Sequence, residues 1–128
     1  MKVKIIFKNK DLLQFYKLYI AFIRFLQSEY QLNKDILILF VNEREGKMST
    51  GARTDDGTLK VLSKGRLNRD ILRTLAHEWI HEYQMTTLNR EKEPNIGGKN
   101  EDDANAISAK LIKIFEKNYP EKEKFMYE

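Results

Sequence analysis

In residues 2–8, KVKIIFK, the apolar Val3, Ile5 and Phe7 alternate with mostly polar neighbours, which predicts a strand with one buried face. From residue 11 to residue 30 the period changes. Leu12, Phe15, Tyr16, Tyr19, Phe22, Ile23, Leu26 and Tyr30 recur at helical spacing, predicting one long helix that lays its aromatic stripe on a sheet. Residues 36–42, ILILFVN, form a continuous apolar run too short for a helix, as expected of a central strand covered on both faces. Residues 48–54 and 58–62 read as the arms of a hairpin about the turn pair Asp56-Gly57. The first arm is polar and contains Gly51, which suits an edge strand approached by another backbone.

Asn68 is placed to cap a second helix with Asp70 in its first turn, and Ile71, Leu72, Leu75, Ala76, Trp79, Ile80 and Tyr83 supply its apolar face. Residues 89–100 combine charge, a proline and a glycine pair, predicting a loop. A last helix should run over 101–118 with Ala104, Ile107, Leu111, Ile114 and Phe115 inward, followed by a frayed or loosely docked tail beginning near Pro120. Together these elements describe one α+β domain over 1–128, with a mixed sheet of about four strands and a backing helix. The 128-residue length and 41% hydrophobic content suit a single core.

Composition narrows the chemistry. The absence of cysteine excludes disulfide scaffolds, thiolate metal clusters and cysteine nucleophiles, so any metal must be held by nitrogen and oxygen. No apolar run reaches transmembrane length and the first residues lack a secretory pattern, so the expectation is a cytoplasmic monomer without a membrane partner. A net charge of +4 brings nucleic acid into consideration, but the cations are interleaved with acids rather than gathered in a stripe.

The two histidines of the chain stand in LAHEWIHEYQ, residues 75–84. Positions four apart share a helix face, so His77 and His81 can converge on one ion, with Zn–N bonds of about 2.0–2.1 Å. Glu78 is rotated by about 100° from His77, which places it on the flank of the metal as a base for water rather than as a ligand. The bland alternative is a pair of solvated histidines. Catalytic zinc usually has three protein ligands, and with no further histidine a carboxylate must supply the third. Glu101 lies on the inward stripe of the last helix, Asp103 competes with it, and Asp102 looks more exposed. Without the histidine motif, all three would read as first-turn acids behind an Asn100 cap.

These residues resemble a family. LRTLAHEWIH followed by EDDANAISAKLI is similar to the gluzincin metallopeptidases, especially the ImmA/IrrE-like group and the minigluzincins. Ile80 replaces a glycine common in the former group, and the Leu-Met-Pro that often ends its second helix is absent. The resemblance implies a small zincin-like domain in which His77, His81 and Glu101 bind Zn2+ while Asn105 supports a ligand from behind. It also implies an extended protein or peptide substrate, laid antiparallel along the sheet edge where Gly51 and Ala52 are small enough to admit it. The expected activity is peptide hydrolysis with Glu78 as general base, and Tyr119 or Tyr127 would stabilise the oxyanion. The competing reading is a non-catalytic DNA- or repressor-binding regulatory module with a structural or vestigial metal site; a general base beside the ligands speaks against it.

Overall fold

Strand β1, Val3–Phe7, alternates half-buried and exposed positions as its sequence alternates apolar and polar ones, with Ile6 the exposed exception. It pairs in parallel with β2, Ile36–Val41, in a register that runs from Val3↔Ile36 to Phe7↔Phe40. Parallel neighbours require a crossover, supplied here by helix α1, Tyr16–Glu29. Strand β4, Thr58–Leu62, pairs in parallel on the other side of β2, and the short β3, Gly51–Arg53, closes the sheet antiparallel to β4. The order is β1-β2-β4-β3, which makes β2 central and β3 an edge. The computed structural model describes residues 2–91 and 98–128, so most of the segment expected as a loop lies outside the described residues.

Helices α2, Asn68–Thr86, and α3, Lys99–Asn118, join α1 over one face of the sheet. There Ile36, Ile38 and Phe40 of β2 meet Tyr19 and Phe22 of α1, Leu75 and Trp79 of α2, and Phe115 of α3 in one buried cluster. Its rings favour edge-to-face contact, as in Tyr19 against Phe40 at 5.1 Å and Phe22 against Phe115 at 5.0 Å. The Trp79 indole N–H donates to the Tyr30 carbonyl at 2.8 Å, so the largest buried side chain leaves no polar group unmatched. The opposite face carries only Val41, Met48 and Leu62, with Leu39 and Ala52 beside them. Double-sided cover of β2 is thus partial, because among the described residues no helix packs into the small cluster on that second face.

Four further expectations change. Residues 11–30 do not form one helix: a 3-10 helix, Lys10–Phe15, opens under an Asn9 cap and passes into α1. Three residues per turn shift the phase relative to 3.6, so Tyr16 turns outward while Leu18 and Phe25 join the core. Asn68 is not a cap. Its side-chain oxygen accepts from the Tyr19 hydroxyl at 2.7 Å, and its amide donates to the Phe125 carbonyl at 2.9 Å. Ile114 is exposed, and its neighbour Ile112 takes the buried position. The tail is docked: helix α4, Pro120–Met126, buries Met126 completely, and the Glu128 carbonyl accepts from the Asn68 backbone N–H. Among the described residues no helix is long and apolar enough to cross a membrane.

Candidate metal centre

Helix α2 is anchored by its apolar face, with Leu72, Leu75, Trp79 and Ile80 buried, and this fixes the rotation that presents His77 and His81 to a cleft. Helix α3 is preceded by Gly98, whose φ of 95° lies in the left-handed region that glycine adopts at little cost, and Glu101 falls in its first turn. The two helices pack against each other so that Glu101 reaches both imidazoles. His77 Nε2 lies 3.0 Å from Glu101 Oε1, His81 Nε2 lies 3.0 Å from Glu101 Oε2, and the two Nε2 atoms are 3.0 Å apart.

Hydrogen bonding orients the His81 ring. The Gln84 side-chain amide donates to the Asn100 carbonyl at 3.0 Å, which directs Gln84 Oε1 toward His81 Nδ1, also at 3.0 Å. An oxygen at that position calls for an N–H at Nδ1, so Nε2 is the nitrogen aimed at His77 and Glu101 and, in the neutral tautomer, the one that carries the lone pair. Burial, then the proximity of His81, lowers the His77 pKa against the pull of Glu101, which favours the neutral ligating form of His77. Two imidazole nitrogens and a carboxylate thus converge on one point, a donor set that an electropositive occupant would satisfy. In a tetrahedral zinc site, bonds of about 2.0–2.2 Å set donor atoms about 3.3 Å apart. The 3.0 Å triangle of His77, His81 and Glu101 is only slightly tighter, so these three residues could hold a metal ion.

Glu78 occupies the flank, but it is more enclosed than a solvent-facing base. Only 7% exposed, it packs beneath β3, where a Cβ on Gly51 would meet Thr74 Cγ2 at 2.7 Å and Glu78 Cγ at 2.9 Å. Gly51 is therefore small for the sake of the helix below it, a different reason from admitting substrate. Burial and then the charge of Glu101 push the Glu78 carboxyl up to about 8, with Arg53 pulling the other way. Arg53 follows Gly51 by two residues and so faces the same helix; its Nε donates to Glu82 Oε1 at 2.9 Å. Glu82 is fully buried one turn after Glu78, and its Oε2 has no hydrogen-bond partner among the described residues.

The other expected residues divide. Asp103 turns away to Arg90 at 2.9 Å and Lys99 at 3.4 Å, and Asp102 is exposed, so Glu101 is the acid brought to the histidines. Asn105 is exposed on the cleft wall, and the hydrogen bond there runs from Ser108 Oγ to its backbone carbonyl. The imidazole partner seen in the structure is Gln84, which the sequence reading missed although it stands three residues after His81 on the same helix. Asn100 is no cap, since it lies inside α3, buried, with its carbonyl holding Gln84. Ala52 lies on the edge strand and packs toward Met48 on the far face. Neither proposed oxyanion tyrosine lines the cleft: Tyr119 stacks on Phe115 at 4.7 Å, and Tyr127 is exposed beyond α4.

The cleft has a volume of about 810 Å³ and is bounded on one side by β3. The β4 partner bonds of Thr50 and Thr54 alternate with the positions of Gly51 and Arg53, whose backbone N–H and C=O groups therefore point outward along the free edge. The result is a small α+β domain carrying a two-helix His/His/Glu candidate metal centre beside an open strand edge. The chain belongs to a family of unknown function, DUF6055, whose model matches residues 3–119. No curated protein and no solved structure matches it.

Proposed function

We propose that this chain is a zinc-dependent peptide hydrolase of the gluzincin type. The observation that carries this reading is the placement of Glu78, a buried carboxyl beside a three-residue nitrogen and oxygen donor set that leaves a further coordination position open. A purely structural site would close that position and has no use for such a base. Zinc, when bound, would polarise the scissile carbonyl and acidify the attacking water. His77, His81 and Glu101 would hold the ion, and Gln84 would keep His81 in the ligating tautomer. Glu78 accepts the proton of the attacking water and delivers it to the departing amine nitrogen. The outward N–H and C=O groups of Gly51 and Arg53 align an extended peptide antiparallel to β3 by main-chain hydrogen bonds.

The test is a pair of variants assayed on an unstructured protein substrate. Glu78→Gln should retain stoichiometric zinc and lose hydrolysis, by roughly two to four orders of magnitude for removal of a general base. Cleavage at the wild-type rate by that variant would refute the mechanism. Zinc retained by a His77→Ala/His81→Ala double variant, measured by elemental mass spectrometry, would refute the site.

A further inference from the structure

The two halves of the cleft differ in charge. Three cations line the half beside the N-terminal part of α2 and the loop leading into β3: Lys47, Arg66 and Arg73. Among the described residues Lys47 and Arg73 form no ion pair, and Arg66 spends its donors on the Leu62 and Asp70 carbonyls and the Thr74 hydroxyl rather than on a carboxylate. Two acids share this half. Glu45 is matched by Lys60 at 2.9 Å and by Lys8 at 3.8 Å, which leaves Asp70 to set against the three cations. Arg69, outside the cleft, shows the contrast: it is bound to Glu116 at 3.1 Å and its pKa is raised, whereas burial without such a partner lowers that of Arg66.

The direction of a bound chain follows from two contacts. Gly51 sits over Thr74 and Glu78, and Arg53 reaches Glu82 one turn further along α2, so β3 and α2 run in the same sense. A peptide antiparallel to β3 therefore travels from the C-terminal toward the N-terminal half of α2. Its residues beyond the scissile bond pass Arg73, one turn before His77, and approach Arg66 and Lys47. We propose that the cleft selects peptides carrying acidic residues on the C-terminal side of the scissile bond. The selection rests on the hydrolase reading for its bond and on the charge layout for its direction. Long-range attraction across the wet cleft acts within a Debye length of about 8 Å at physiological salt, so the preference should weaken as salt rises.

Binding tests this without needing turnover. Zinc-loaded, full-length Glu78→Gln is titrated by fluorescence anisotropy with two labelled peptides of identical composition, one with Asp and Glu in its C-terminal half and the other in its N-terminal half. The first should bind about five- to tenfold more tightly, the range for one or two partly screened ion pairs. Adding Arg73→Glu and Lys47→Glu, both exposed positions, should erase the difference while zinc content and circular dichroism stay unchanged. Equal affinity for the two peptides, a preference that survives the charge reversals, or no peptide binding overturns the proposal; so does tighter binding to a short DNA duplex than to either peptide, which would assign the cations to nucleic acid. Wild-type protein incubated with the same peptides separates the two readings. A directional binder that cuts nothing counts against hydrolysis alone, and equal cutting of both peptides counts against the selectivity alone.

Discussion

Gly51 and Glu78 are in direct contact: the backbone of the edge strand lies so close to the helix that a single added carbon on residue 51 would stand 2.9 Å from Glu78 Cγ and 3.0 Å from Glu78 Oε2. Strand edge and the proposed general base are thus one packed unit. Gly51→Ala should displace the Glu78 carboxylate and cost about 1–3 kcal/mol of stability through overpacking. Hydrolysis should fall while zinc affinity stays near wild type, because the atoms nearest that carbon belong to Thr74 and Glu78 rather than to His77, His81 or Glu101. Thermal unfolding, zinc titration and peptide cleavage on the same preparation check the three effects; full activity in Gly51→Ala would show that the contact is slack.

The buried Glu78 carboxyl also gives the metal-free protein a distinctive response to pH. Its folded-state pKa of about 8 lies above the ordinary 4.5, so between those values the folded chain binds more protons than the unfolded one. Stability should therefore fall as pH rises through this window. Glu78→Gln should flatten the decline and leave metal-free protein more stable at pH 9 by on the order of 1–3 kcal/mol. Urea midpoints at pH 5, 7 and 9 for both proteins provide the measurement, and parallel profiles would count against burial of a charged group.

Gln84 sets His81 through one hydrogen bond and is itself set by the Asn100 carbonyl. Replacing it with Leu keeps most of its volume but frees the tautomer. Zinc affinity should drop roughly 10–100-fold, the usual penalty for losing an outer partner of a metal-bound histidine. Competition with a chromophoric chelator reads this directly, and an unchanged affinity would reduce Gln84 to packing.

Met126 lies fully buried at the end of α4, well along the chain from the candidate metal ligands. Met126→Ala should cost about 2–5 kcal/mol, as for other large-to-small core changes. Zinc stoichiometry should survive under conditions where the variant remains folded. A urea unfolding midpoint indistinguishable from wild type would contradict a docked tail.

Much of this was legible along the chain for a local reason. A period of two in 2–8, an apolar run in 36–42 and an Asp-Gly turn each report a constraint satisfied within a few residues; strands formed in both stretches and a hairpin about the turn, its first arm shortened from 48–54 to Gly51–Arg53. The spacing of His77 and His81 is likewise local geometry, since one turn of helix suffices to bring them together. Asn68 and the tail were misread because Asn68 pairs with Tyr19, 49 residues before it, and with Phe125 of the tail, 57 residues after it, and nothing in either neighbourhood announces those contacts. The break at Phe15 was hidden in a sequence whose apolar spacing fits either helix type for one turn.

By itself the sequence determined the strands, the hairpin, the helix bearing the two histidines and the lack of sulfur ligands, because short-range periodicity and composition suffice for these. Only the tertiary structure decided that Glu101 and not Asp103 meets the histidines, that Gln84 orients His81, and that Glu78 lies buried under Gly51. Those relations depend on how α3 and β3 pack against α2, and packing is settled by the whole core at once.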